Sequence, residues 1–105
     1  MYNQNDIIVS EFSGRVKSIL NGNIKKIILF GSRARGDYKS HSDYDFLIIA
    51  DKRDENTKES LLEICVDMLN KYDTLVSFIL CDEKEWANKR KFPIGLNIIK
   101  EGIEL

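Results

Sequence analysis

The sequence has 105 residues, of which 43% are hydrophobic and 31% charged, and its formal net charge is −1. This length suits one ordinary domain, and we expect a single domain over residues 1–105. A nearly balanced charge is not typical of a general nucleic-acid binder, and no apolar run reaches the roughly 18 residues of a membrane-spanning helix. Cys65 and Cys81 lie in apolar stretches, where buried free thiols are expected rather than a disulfide framework or a zinc site. We therefore expect a cytoplasmic protein that binds neither membranes nor, strongly, nucleic acid.

The spacing of apolar residues predicts a mixed order of helices and strands. Helical segments repeat apolar residues every three or four positions, whereas strands are short branched apolar runs bounded by glycine or polar residues. Asp82 and Glu85 have the spacing of a capping box, and proline and glycine mark the bounds of the last helix. The predicted elements, in chain order, are a helix over 6–20, a strand over 25–30, a loop over 31–42 with one helical turn starting at Ser32, a strand over 43–50, a helix over 55–72, a strand over 75–81, a helix after Asp82, a helix from Pro93 to Gly102, and a short final strand around Ile103 and Leu105.

The predicted strands are apolar on both faces, as in a sheet that is covered by helices. We therefore predict the α/β (α+β) class, with a small mixed β-sheet and helices packed mainly on one face. Only the beginning of the second strand is conspicuously charged. We expect the chemistry of the protein to lie there.

Two aspartates open this second strand, and ten residues separate the first of them from a Gly-Ser pair. Because residues i and i+2 of a strand point to the same face, about 6.5–7 Å apart, Asp43 and Asp45 should project side by side. Adjacent carboxylates repel each other unless a cation lies between them, and Mg²⁺ prefers one or two carboxylates together with substrate phosphates. We predict that both residues bind Mg²⁺ and act in catalysis, as a two-metal site that clamps the oxygens of a phosphoryl displacement. The alternative is that they decorate an exposed strand end.

Gly31 and Ser32 form the predicted turn between the first strand and the helical turn. Backbone N–H groups at the start of a helix lack partners and bind anions. Gly31 lets a phosphate approach the backbone closely, and the hydroxyl of Ser32 can bind the phosphate or cap the helical turn. An ordinary strand-to-helix turn uses the same residues, but the aspartates that follow favour a phosphate site.

Two arginines flank this turn. Arg33 and Arg35 can each bind a phosphate through two parallel hydrogen bonds, so both are predicted to contact the nucleotide. Arg35 can equally hold the loop together through a carboxylate such as Asp37. Gly36 is expected to supply a bend with positive φ, whereas His41 has no predicted role.

The run GSRARGDYKSHSDYDFLII resembles the signature of the minimal nucleotidyltransferases, which belong to the DNA-polymerase-β-like superfamily. The segments DEKEW and KFPIGLNIIKEGIEL resemble the tail of the family, so that the resemblance covers nearly the whole chain. It implies a polymerase-β-like palm, Mg²⁺, and a nucleoside triphosphate, most often ATP, from which a nucleoside monophosphate passes to a hydroxyl as pyrophosphate leaves. By motif match, Asp43 and Asp45 would be metal ligands, and Gly31 and Ser32 would hold the triphosphate.

The resemblance also implies a partner. Minimal members are frequently encoded beside an all-helical toxin of the HEPN type, an RNase, and act as its antitoxin by adenylylating a tyrosine of the toxin. Two alternatives are an antitoxin that neutralises by binding alone and a small-molecule nucleotidyltransferase, which usually needs a further domain. Because a lone palm leaves its site open, we expect a partner or a second copy in a homo-oligomer to cover it. Ile94 and Ile98 are candidate contacts, although burial in the core of the domain is the preferred interpretation.

One position departs from the pattern of the superfamily, which usually carries a third carboxylate on a neighbouring strand. Counting back from Glu85 and Trp86, the matching position is Ser77. A hydroxyl does not replace the charge of a carboxylate at a metal, and loss of a general base typically costs about 10²–10⁴-fold in rate. We therefore expect slow transfer, or a residue supplied by a partner.

Overall fold

The computed structural model describes residues 3–105 as five helices around a four-stranded sheet. Every predicted helix and strand is present, and the predicted bounds of the first three strands and of the two long helices lie within one residue of those observed. No helix in the described part of the chain is both long enough and apolar enough to cross a membrane. The elements are α1 (Ile7–Ile19), β1 (Ile24–Phe30), α2 (Ser32–Arg35), β2 (Tyr44–Ala50), α3 (Glu55–Tyr72), β3 (Val76–Asp82), α4 (Glu83–Lys89), α5 (Pro93–Glu101) and β4 (Ile103–Glu104).

The sheet is mixed and has the strand order β3-β2-β1-β4. β1 pairs antiparallel with β2 and with β4, whereas β2 and β3, which are connected through α3, run parallel. The register places Asp45 of β2 between Phe30 of β1 and Ser77 of β3. This mixed sheet confirms the predicted fold class.

The two long helices, α1 and α3, cover one face of the sheet. Phe12 of α1 and Phe46 of β2 stack there, with their ring centroids 4.2 Å apart. Because side chains alternate along a strand, alternate residues of the two central strands join this core, namely Ile27 and Leu29 of β1 and Tyr44, Phe46 and Ile48 of β2. Its fully buried members include Phe12, Val16, Leu29, Phe46, Ile48, Leu61, Ile64 and Met68.

The opposite face has a smaller core under α4 and α5. Leu47 and Ile49 of β2 pack there with Cys81 of β3 and Ile98 of α5. Asp45 has the same parity along β2 as Leu47, so its side chain belongs to this second face. The smaller core leaves the beginning of β2 open, and the two longest helices lie on the other face.

The last two helices begin where the sequence places them. Asp82 accepts a hydrogen bond from the Glu85 N–H at 2.7 Å, and Glu85 accepts one from the Asp82 N–H at 3.0 Å. The predicted capping box is therefore confirmed, and Pro93 occupies the first turn of α5.

Of the two candidate contact residues on α5, only one is buried. Ile98 is 1% exposed and belongs to the smaller core, as preferred, whereas Ile94 is 44% exposed. The prediction that Ile94 is buried in the core is therefore wrong. The reason is that the first turn of α5 packs against the end of α4, where a Cβ on the buried Gly95 would collide with the backbone of Lys89.

Both cysteines are free thiols, as the sequence predicts. Cys81 is buried and Cys65 half-buried. Burial raises the pKa of each thiol to about 11, which makes both poor nucleophiles at neutral pH.

Candidate active site

The candidate site lies where the end of β1 meets the beginning of β2. Because these strands are antiparallel, Phe30 pairs with Asp45, and Gly31 follows directly. A Cβ at Gly31 would lie 2.6 Å from Oδ2 of Asp45. The φ of Gly31 is 77°, a region that side chains disfavour. Gly31 is therefore required twice, by its backbone conformation and by its contact with Asp45, and the predicted turn and aspartate do meet.

Asp43 and Asp45 flank Tyr44 at the start of β2. Asp43 precedes the strand and is exposed, whereas Asp45 is half-buried. Within residues 3–105, no three His, Cys, Asp or Glu side chains come together as a metal site. A cation here would have two protein carboxylates and would take its other oxygen ligands from phosphates and water, a donor set that fits Mg²⁺. The predicted roles of both aspartates stay predictions.

Ser77, the residue that the sequence pattern matches to a third carboxylate, lies on β3. It pairs with Asp45 across the parallel strands, and its Oγ donates to Oδ1 of Asp45 at 2.7 Å. The aspartates nearest to Ser77 along the chain have other positions: Asp73 ends α3 with a φ of 52°, and Asp82 caps α4. Ser77 therefore orients Asp45 without adding a charge.

Arg33 is built into the loop that leads to Asp43. Arg33 is only 8% exposed. Its guanidinium carbon lies 4.4 Å from the ring centroid of Tyr38 and 4.3 Å from that of Tyr44. Its Nη2 also donates to the carbonyl oxygen of Ser42 at 3.0 Å. These contacts provide the partners that a buried cation needs. The geometry assigns the guanidinium to the loop and gives no support to the phosphate contact predicted for it.

Arg35 holds the loop in the way that the second alternative describes. Its Nε donates to Asp37 at 3.1 Å, and its Nη1 donates to Glu101 at 3.0 Å. The hydrogen bonds to these carboxylates, that to Asp37 first, raise the pKa of Arg35 above its usual value. Gly36 has a φ of 90° and supplies the expected bend. A phosphate contact of Arg35 stays a prediction.

Tyr44 is a site residue that the sequence analysis did not identify. Its hydroxyl donates to Oδ2 of Asp6 at 2.5 Å, while Oδ1 of Asp6 accepts from the Ile8 N–H at 2.9 Å as the N-cap of α1. Burial, and then the bond to Asp6, raise the pKa of Tyr44 well above its usual range. Strand alternation gives a signal that Tyr44 faces the core, but nothing in the sequence identifies Asp6 as its partner.

Glu101 is a second residue that the sequence analysis missed. Its Oε1 accepts the N–H of Gly31 at 3.1 Å, and its side chain is 17% exposed. The residues are separated by 70 positions, so no local pattern gives a signal for this contact. The N–H of Gly31, a residue predicted to bind phosphate, therefore already donates to a carboxylate of the protein.

Comparison with known proteins gives a family match for most of the chain. The nucleotidyltransferase domain family matches residues 9–97 of the chain. The protein MJ0604 of Methanocaldococcus jannaschii, provisionally named a protein adenylyltransferase, is 37% identical over 94 residues, which are 90% of each chain.

Solved structures show the same fold. The crystal structure of a provisionally named nucleotidyltransferase from Sulfolobus solfataricus has a TM-score of 0.59 at 23% identity, and the match covers 92% of this chain and 75% of that one. A crystal structure of a toxin–antitoxin pair with AMP-PNP has a TM-score of 0.57 at 21% identity, covering 90% of this chain and 69% of that one.

The bond between Tyr44 and Asp6 can be tested by removing one hydroxyl. We expect Tyr44→Phe to lower the free energy of unfolding by about 1.5–3 kcal/mol, the range for a hydrogen bond to a charged group, as measured by urea denaturation at pH 7. Tyr38→Phe is the matched control, because its ring also packs on Arg33 but its hydroxyl has no hydrogen bond within residues 3–105. The raised pKa favours the neutral phenol in the folded state, so this stabilisation is complete below a pH of about 10 and declines above it. Equal denaturation midpoints for the two variants would contradict the assignment.

Proposed function

The chain belongs to the nucleotidyltransferase domain family, and on that premise we propose that it transfers AMP from ATP to a hydroxyl of a protein partner, with Mg²⁺. The acceptor oxygen forms a bond to the α-phosphorus, the bond from that phosphorus to the oxygen bridging to the β-phosphate breaks, and pyrophosphate leaves. The acceptor becomes an AMP ester, and its hydroxyl proton is released. The contact between the Gly31 turn and the carboxylate of Asp45 is the observation that carries this proposal.

Asp43 and Asp45 are the residues that we propose to hold Mg²⁺. When bound, Mg²⁺ offsets the charge of the phosphates and orients the reacting oxygens. Ser77 donates to one oxygen of Asp45, which limits rotation of that carboxylate, and the other oxygen lies against Gly31. The pair is at the uncovered end of β2, where a triphosphate has access.

The turn after β1 is proposed to bind the triphosphate. The Ala34 and Arg35 N–H groups donate to the Gly31 carbonyl, and the Gly31 N–H donates to Glu101. The backbone N–H groups of Ser32 and Arg33 make no hydrogen bond within residues 3–105 and are the donors left for phosphate oxygens. Arg33 thus keeps a place in the proposed nucleotide site through its backbone, although its guanidinium holds the loop.

The acceptor that we propose is a tyrosine of a HEPN-type helical toxin, for which this chain is the antitoxin. Support comes from a relative named for protein adenylylation and from the toxin–antitoxin pair that shares the fold. A protein acceptor also suits the apolar surface that the chain exposes around its last helix. Four large apolar residues on and before α5 are 44–56% exposed: Phe92, Ile94, Leu96 and Ile99.

The proposed metal role of Asp45 predicts the effect of a single substitution. We expect Asp45→Asn to reduce transfer by more than about 100-fold, because even the loss of a group that supports a metal ligand costs about 10–100-fold. Transfer is measured as label passing from α-³²P-ATP to a purified HEPN-type helical protein, with Mg²⁺ present. Asp51→Asn, at the far end of β2, is the control and should label like the wild type. A folded Asp45→Asn protein with wild-type labelling would rule out this role.

A second substitution tests whether the chain lacks a general base. Ser77→Asp places a carboxylate beside Asp45, and we expect transfer to become about 10²-fold faster, the lower end of what a general base contributes. The added charge should also lower the melting temperature without Mg²⁺ and less so with it. Ser77→Asn is the control of equal size. If Ser77→Asp is no faster than Ser77→Asn, the serine is not the cause of slow transfer.

A second candidate function, neutralisation by complex formation alone, is favoured by the missing carboxylate at Ser77. The double variant Asp43→Ala, Asp45→Ala separates the two functions, because neither side chain belongs to the hydrophobic clusters that hold the fold. We expect the variant to co-purify with the toxin but to lose protection in a growth assay. Full protection by the double variant would favour binding alone.

A further inference from the structure

Glu101 lies where the last helix meets the end of β1, outside the set of residues proposed above for the reaction. One carboxylate oxygen accepts the Gly31 N–H at 3.1 Å, and the other accepts from Arg35 at 3.0 Å. The side chain is 17% exposed, less than that of Arg35, which is 45% exposed. A single carboxylate therefore contacts both ends of the segment that holds Ser32.

The direction of the Gly31 N–H shows how Glu101 acts. Backbone groups of alternate residues in a strand point to the same edge. The Ile27 carbonyl accepts from Leu105 on the β4 edge of β1, so the Gly31 N–H, four residues later, points to that edge too. Asp45 lies across the opposite edge, on β2. Glu101 thus supports the turn from behind and does not occupy the space beside Asp45.

The junction holds Glu101 tightly in place. A Cβ at Gly102 would collide with the Ile98 carbonyl and lie 2.6 Å from Cγ2 of Ile28, so the chain passes closely over β1 before pairing with it as β4. A carboxylate at the C-terminus of a helix is disfavoured by the helix dipole. Its partners, Arg35 and the Gly31 N–H, offset that cost and determine where the carboxylate points.

We propose that Glu101 is a positioning residue for nucleotide binding, an inference that rests on the proposed function. By accepting the Gly31 N–H, it holds the peptide plane that precedes the turn, and this plane determines where the free N–H groups of Ser32 and Arg33 point. By pairing with Arg35, it ties the end of α2 to α5. Because Glu101 touches the turn and not the aspartates, its loss should weaken nucleotide binding more than the rate of the bound complex.

The test compares two substitutions of Glu101 with one of Glu104, an exposed residue whose carboxylate pairs, among residues 3–105, only with Lys26. We expect Glu101→Ala to raise the Kd for AMP-PNP with Mg²⁺, and the KM for ATP, about tenfold, with kcat within about threefold of the wild type. Glu101→Gln keeps an oxygen that can accept the Gly31 N–H, so it should raise both constants only about two- to threefold. Glu104→Gln should leave all three unchanged.

Each remaining outcome is informative. A lower Kd in Glu101→Ala would show that the carboxylate competes with the nucleotide, and an unchanged Kd in the folded variant would show that the contact serves stability alone; either result overturns the proposal. Should Glu101→Ala not fold, Glu101→Gln carries the test. In that variant we expect hydrogen exchange of the Gly31 amide to be faster than in the wild type, together with the two- to threefold rise in Kd. A wild-type protein that binds no AMP-PNP refutes the proposed function, and the role of Glu101 with it, whereas wild-type binding that Glu101→Ala retains refutes only the latter.

Discussion

The close approach of Gly31 to the Asp45 carboxylate is the contact around which the site is arranged. It arises because β1 and β2 are antiparallel, so that one strand ends where the other begins. A Cβ at position 31 would separate the turn from the carboxylate. Ser77 bonds to the same carboxylate from β3, and Glu101 bonds to the same glycine from α5. One contact between two strands thus brings four elements of the fold together.

The cationic side chains near the site are already committed within the protein. Arg33 lies between two tyrosine rings, and Arg35 pairs with two carboxylates. Neither guanidinium is free to offset the charge of a triphosphate without giving up these partners. Under the proposed function, a cation held by the two carboxylates at the beginning of β2 would balance the charge of the phosphates.

The sequence was sufficient for most of the fold and for the meeting of the Gly31 turn with Asp45. Hydrophobic periodicity and the positions of glycine and proline predicted the elements, because these are local effects. The side-by-side placement of Asp43 and Asp45 stays a prediction, because Asp43 precedes β2 and is exposed. The roles of Arg33 and Glu101 were not predictable. A guanidinium has the same appearance in a sequence whether it binds phosphate or tyrosine rings, and Glu101 reaches Gly31 only because β4 returns the chain to β1.

Tyr44 stands between the two acidic positions, yet alternation along β2 turns its ring through the sheet to the side of the large core. There its phenol meets Asp6, the residue from which α1 begins. The acidic edge and the rear helix are consequently joined by one side chain. A displacement of the start of α1 would therefore move Tyr44, and with it the adjacent residues Asp43 and Asp45 on the acidic edge.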